Sequence, residues 1–308
     1  MSVDIDDKQA RTDCDDNSGA IGIFDSGLGG LTVLREIRKL LPDEKLIYFG
    51  DNGRTPYGSK SYDTVLKYTL QDVNFLLSKN VKAIVIACNT ASACGTPTVR
   101  SKFSLPVIEV VEPGAGAAVD ASKSGRIGVI GTAATINSGV YEKAILRIAA
   151  EKERSDVRYF GRACPLFVPL VEEGWWEGIV TRLTAEEYLK PLMDSDIDTL
   201  VLGCTHYPLL TEVIGEVMGK GVKLIDSASV VARAVKERLA KEKLLRKGRG
   251  LFSALNASVR GLNGSEIDFP AQMVEFYTSD SIDRFRVLGG KFLGSHIESV
   301  EKVDIEAF

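Results

Sequence analysis

Short apolar runs rich in β-branched residues recur along this chain, each followed by a longer stretch with helical spacing. That alternation is the signature of repeated strand–helix–strand units, and it restricts the fold more than any other feature. The runs are Ile21 to Phe24, Lys45 to Phe49, Lys82 to Ala87, Arg126 to Ile130, Thr199 to Gly203 and Lys223 to Ile225. Their nearly continuous apolar character predicts parallel strands covered by helices on both faces, so the fold class is α/β. Helices are expected over Leu31 to Leu41, Tyr62 to Ser78, Thr135 to Ala150 and Val230 to Leu245. A connector over Arg246 to Gly264, a strand over Met273 to Tyr277 and a helix over Ser281 to Leu293 complete the pattern.

Parallel sheets carry their chemistry beyond the carboxyl ends of the strands, so the residues just after each apolar run are the candidates for function. Four such positions are polar or nucleophilic: Asp25-Ser26-Gly27, the loop from Asp51 to Tyr57-Gly58, Cys88-Asn89-Thr90 and Cys204-Thr205-His206. The last two match each other: an apolar strand, a small residue, a cysteine, then a polar pair containing threonine. The match suggests two related halves, each contributing one cysteine loop to a shared cleft. Crossings marked at Pro113-Gly114 and near Asp226 then give a disordered acidic tail (1–19), a first α/β domain (20–113 plus 226–308) and a second (114–225). These would be two pseudo-symmetric domains, each a mostly parallel sheet flanked by helices, with the active site in the cleft between them. Domain interfaces are a preferred place for small-ligand pockets.

A single cysteine at a buried strand end is more commonly a small core hydrophobe than a catalyst. Cys94 and Cys164 keep that reading, and Cys14 falls in the tail. Cys88 and Cys204 depart from it because their settings are paired and their neighbours can hydrogen-bond. The five cysteines contain no C-x-x-C pair, and the chain has only two histidines, His206 and His296, so a disulfide framework and a structural metal site are both disfavoured. A formal charge of -4 gives no broad positive field for nucleic acid or anionic lipid, and no segment has the length and apolarity of a membrane span or a secretory signal. A cytoplasmic protein is expected. Two thiols without metal or disulfide suit proton removal from one face of a carbon acid and return from the other, one sulfur starting as thiolate and its partner as thiol. The glycine cluster Gly27-Leu28-Gly29-Gly30 fails the dinucleotide fingerprint, because the third glycine position falls on Thr32. It is read instead as a sharp turn allowing close backbone approach.

Four motifs in order now define a resemblance: I-F-D-S-G-L-G-G-L-T-V (Ile23 to Val33), F-G-D-N-G-R-T-P-Y-G (Phe49 to Gly58), I-A-C-N-T-A-S-A (Ile86 to Ala93) and L-G-C-T-H-Y-P-L-L (Leu202 to Leu210). With C-P-L-F-V-P-L-V-E-E-G at Cys164 to Gly174 and F-Y-T-S-D at Phe276 to Asp280, they resemble the bacterial glutamate racemases of the aspartate/glutamate racemase superfamily over nearly the whole chain. The resemblance implies interconversion of L- and D-glutamate without pyridoxal phosphate or any other cofactor, D-glutamate supply to peptidoglycan, and a homodimer. It implies Cys88 and Cys204 as the acid/base pair, with Asp25 assisting Cys88. His206 with Glu172 would assist Cys204, although Glu173 fits the same motif. Asp25, Ser26, Tyr57, Gly58, Asn89, Thr90, Thr205 and His206 would contact the amino acid. An aspartate-specific sister enzyme, a non-catalytic binding module and a thiol redox protein are the rival readings. Trp175 and Trp176 read as an exposed apolar patch or a dimer contact.

Overall fold

The computed structural model describes residues 17–246 and 273–308, so most of the expected tail and connector lies outside the described residues. Two wholly parallel sheets form the frame. The first has the order β10-β9-β2-β1-β3-β4, built from β1 (Ala20–Asp25), β2 (Leu46–Gly50), β3 (Val81–Ile86), β4 (Val107–Glu109), β9 (Val274–Thr278) and β10 (Glu301–Lys302). The second has the order β6-β5-β7-β8, from β5 (Arg126–Gly131), β6 (Arg158–Ala163), β7 (Thr199–Gly203) and β8 (Lys223–Asp226). Four strands of the first sheet, β2-β1-β3-β4, therefore repeat in chain order and spatial order as β6-β5-β7-β8. This is the pseudo-symmetry that the matched cysteine loops suggested: β3 and β7, the strands leading into the two cysteines, are equivalent in it.

The central strands are buried along their full length, as continuous apolar runs require. Register brings their carboxyl ends to common rims. Asp25 lies opposite Gly50 and Phe24 opposite Ile86 in the first sheet, and Gly131 opposite Gly203 in the second. The loops after β1, β2 and β3 therefore emerge together, as do those after β5 and β7.

Helices α1 (Leu31–Leu40), α2 (Tyr62–Leu77), α3 (Asn89–Lys102) and α4 (Val111–Ala121) follow the first four strands in turn. Pro113 and Gly114, read from sequence as a crossing, lie inside the first turns of α4, where a missing proline N–H is tolerated. The single helix expected over Thr135 to Ala150 is two, α5 (Ala133–Asn137) and α6 (Val140–Glu151), because Gly139 adopts a left-handed conformation (φ 66°) between them. Helices α7 (Phe167–Glu172), α8 (Ile179–Asp194) and α9 (Thr211–Met218) flank the second sheet. The helix expected from Val230 begins earlier, as α10 (Ser227–Lys241), because the Asp226 carboxylate caps it by accepting the Ala228 N–H at 2.9 Å. α10 packs back onto α1 and α4, and α11 (Ile282–Leu293) also covers α1. One continuous apolar core, running from Ile21, Ile23 and Val85 to Val129, Val201 and Leu202, joins the two sheets. Among the described residues no helix is long and apolar enough to cross a membrane.

Candidate active site

The rim of the first sheet delivers Asp25, Ser26 and Cys88 to one place. Cys88 caps α3: its sulfur accepts the Ala91 N–H at 3.4 Å and its thiol donates to Ser26 Oγ at 3.6 Å. It is 5% exposed. Burial pushes the Cys88 thiol up to about 12 and the nearby Asp25 carboxylate adds to this, while the Ala91 N–H and Ser26 oppose it. Asp25 is fully buried, and burial raises its carboxyl above the ordinary value despite the charge of His206 and the N–H groups of Gly30 and Gly27.

The rim of the second sheet delivers the other thiol. Cys204 follows β7 directly and is 6% exposed. Its sulfur lies 3.9 Å from His206 Nδ1, and His206 Nε2 lies 3.3 Å from Oε1 of Glu172, the last residue of α7. Of the paired glutamates, Glu172 reaches the imidazole, whereas Glu173 is exposed. Burial alone would lower His206, but its hydrogen bonds to Cys204 and Glu172 outweigh this and raise it to about 10. Glu172 is lowered: burial acts against ionisation, and the His206 contact overcomes it.

One hydrogen bond joins the two sides. The Thr205 hydroxyl, next to Cys204, donates to Asp25 Oδ1 at 3.2 Å, while Asp25 Oδ2 accepts the Gly27 N–H at 3.0 Å. Close approach here depends on Gly29. A Cβ at that position would stand 2.2 Å from Thr205 Oγ1 and 2.7 Å from His206 Nδ1. The glycine cluster therefore admits the opposing cysteine loop. Gly29→Ala is accordingly expected to displace Thr205 and His206 and to lower turnover at least tenfold, checked by steady-state rates alongside melting temperature; unchanged rates would show the approach to be dispensable.

A second group of polar atoms bridges the halves. Asn89 Oδ1 accepts the Tyr141 hydroxyl at 2.7 Å, and its buried amide nitrogen has no hydrogen-bond partner among the described residues. Thr90 Oγ1 lies 2.9 Å from Thr132 Oγ1 and 3.3 Å from Thr135 Oγ1. Thr132 and Thr135 escaped the sequence reading, although Thr132 occupies the strand-end position after β5 and the same positional rule would have found it. Gly58 lies against the Thr132 side chain. Tyr57 is brought to the site, but its hydroxyl is committed elsewhere, within hydrogen-bond reach of Asp51 and 2.9 Å from Asp72 Oδ2.

Two equivalent parallel sheets each end a central strand at a cysteine in this chain, and the chain belongs to the Asp/Glu/Hydantoin racemase family, whose profile matches residues 22–235. Within it the similarity runs to glutamate racemases. The chain is 49% identical to the glutamate racemase of Geobacter metallireducens over 94% of this chain and 97% of that protein, and 46% identical to that of Chlorobaculum tepidum over 92% and 95%. In structure it is similar to glutamate racemase isoform RacE1 from Bacillus anthracis (TM-score 0.81, 37% identity, 94% of this chain and 98% of that one). It is likewise similar to the Francisella tularensis glutamate racemase solved in complex with D-glutamate (TM-score 0.80, 35% identity, 95% and 100%).

Proposed function

We propose that the protein interconverts L- and D-glutamate by a two-base mechanism in which Cys88 and Cys204 act on opposite faces of Cα, without pyridoxal phosphate. The observation that carries this reading is the contrast between the two thiols across the Asp25–Thr205 hydrogen bond. A negative sulfur at Cys204 has the cationic His206 ring 3.9 Å away, whereas Cys88 is buried beside a carboxyl and holds its proton. In one direction the Cys204 thiolate removes the Cα proton as the Cys88 thiol delivers its own to the other face. In the reverse direction Cys88 must be the thiolate. The Asp25 carboxylate can accept its proton, becoming the neutral acid that its burial favours, and the first turn of α3 favours the negative charge on sulfur.

The unpartnered amide of Asn89, the hydroxyls of Thr90, Thr132 and Thr135, and the Tyr57–Gly58 backbone are the groups assigned to the substrate carboxylates, with Ser26, Thr205 and His206 completing the contacts. The halves that close on the substrate are 20–113 with 226–308, and 114–225. A cytoplasmic homodimer supplying D-glutamate to peptidoglycan is the biological setting consistent with this chemistry. The exposed apolar side chains of Trp175, Ile179, Val180 and Leu183 are the natural dimer contact, while Trp176 is half-buried and donates its indole N–H to the Val171 carbonyl at 3.0 Å.

The test is circular dichroism of L-glutamate and of L-aspartate incubated with the protein without added pyridoxal phosphate. Loss of ellipticity on glutamate is expected; loss on aspartate alone would overturn the assignment.

A further inference from the structure

The most heavily bonded charged group near the site belongs to neither cysteine. Arg54 sits in the loop after β2 with 10% of its side chain exposed, and it bonds four side chains at once. Its Nε donates to Asp51 Oδ2 at 2.6 Å, one terminal nitrogen to Asp72 Oδ1 at 3.0 Å, and the other to Gln71 Oε1 at 2.6 Å and Glu306 Oε1 at 3.2 Å. Its guanidinium also lies 4.1 Å from the Tyr68 ring centroid. Asp51 and Asp72 are both fully buried and share the Tyr57 hydroxyl, and Asp51 further accepts the Ser279 hydroxyl at 2.7 Å. The Asp51 N–H donates to the Asp25 carbonyl at 3.0 Å, so the backbone of this loop is tied to the end of β1.

Two buried carboxyl groups meet in this cluster, and the Arg54 guanidinium bonds both. Its fork bonds the start of the loop (Asp51) and the middle of α2 (Gln71, Asp72), and Tyr57 hangs from the same two carboxylates. The far end of the loop places Gly58 against Thr132 of the opposing half. We propose that Arg54 is a positioning residue for substrate: through Asp51, Asp72 and Tyr57 it fixes the loop 51–60 so that the Tyr57–Gly58 backbone meets the substrate carboxylate across from the Thr90–Thr132–Thr135 hydroxyls. This role rests on the glutamate-site reading above. It predicts an effect on substrate binding rather than on proton transfer, because Arg54 contacts neither cysteine loop.

The full-length protein carrying Arg54→Gln, Arg54→Lys, Tyr57→Phe or Glu306→Gln is compared with wild type by racemisation kinetics in both directions and by amide hydrogen exchange over residues 52–60. Arg54→Gln is expected to raise KM for both enantiomers about tenfold with kcat within about threefold of wild type, and to speed loop exchange about tenfold. Arg54→Lys should recover part of the KM, since an ammonium restores charge without the fork. Tyr57→Phe, which keeps the ring, should raise KM in the same sense and decides the matter if Arg54→Gln fails to fold. Glu306→Gln should match wild type, its exposed carboxylate being screened by solvent. An unchanged KM in Arg54→Gln and Tyr57→Phe, or a fall in kcat at constant KM, would overturn the proposal. A wild-type protein inert on glutamate would strike the racemase reading instead, and loop exchange that stays at the wild-type rate in Arg54→Gln would strike the Arg54 role independently of activity.

Discussion

Cys88→Ala and Cys204→Ala are each expected to lower kcat/KM for glutamate racemisation by roughly 10²–10⁴-fold, the scale of a lost general acid or base. The loss must be equal in the two directions, because enantiomers have equal free energy and the equilibrium constant fixes the ratio of the two kcat/KM values at one. The single variants differ in a second observable. Each keeps one thiol, which can still remove the Cα proton from the enantiomer it faces and return a solvent proton to that same face. Cys88→Ala should therefore exchange Cα hydrogen on one enantiomer without inverting it, and Cys204→Ala on the other. Exchange by both variants on the same enantiomer, or racemisation at the wild-type rate in either, would remove the cysteines from the chemistry. The substitutions are small, and near-native melting temperatures are the control for folding.

His206→Asn is expected to lower kcat roughly 10²-fold, the scale of removing one preorganised charged partner in a buried site. The same residue gives a stability signature with a defined sign. His206 is raised from its ordinary 6.5 to about 10 by Cys204 and Glu172, against the effect of burial, so its contribution is complete below pH 6.5 and disappears as pH rises through about 10. Glu172 is lowered from its ordinary 4.5, so its share is present above pH 4.5 and is lost only as pH falls through its folded value. The pair is thus worth most between pH 4.5 and 6.5. The difference in melting temperature between wild type and His206→Asn should be greatest there and shrink steadily toward pH 10. A difference that stays flat or grows between pH 6.5 and 10 would mean that the imidazole is neutral in the folded protein.

What could be read from the chain follows from how far each signal reaches. The central strands were legible because a strand buried on both faces must be apolar throughout, as Ile21 to Phe24 and Thr199 to Gly203 are. Three of the four edge strands were not: β4 is three residues long, β10 two, and β6 is exposed or half-exposed along its whole length, so each lacks the apolar run that marks an interior strand. Among candidate site residues, those immediately after a strand stood out by position, Cys88 and Cys204 first. Residues whose importance lies in distant partners did not. Arg54 lay within a motif that drew notice for Tyr57 and Gly58, but Asp72, Gln71 and Glu306 join it only when α2 and the C-terminal segment are packed in place. The same long-range partners place Tyr57, whose hydroxyl is held between two buried carboxyl groups. Glu172 and Glu173 were equivalent in sequence because one turn of α7, not composition, aims the first at His206 and leaves the second in solvent.

Whether two different groups handle the proton on the two faces of Cα is tested by hydrogen isotope labelling without any mutation. Racemisation is started from each pure enantiomer in D₂O, and the Cα deuterium content of substrate and product is measured at low conversion. Two thiols on opposite faces predict product carrying deuterium at Cα while recovered substrate remains unlabelled, in both directions. Equal labelling of substrate and product at early times would mean that a single base serves both faces, and would contradict the assignment of Cys88 and Cys204.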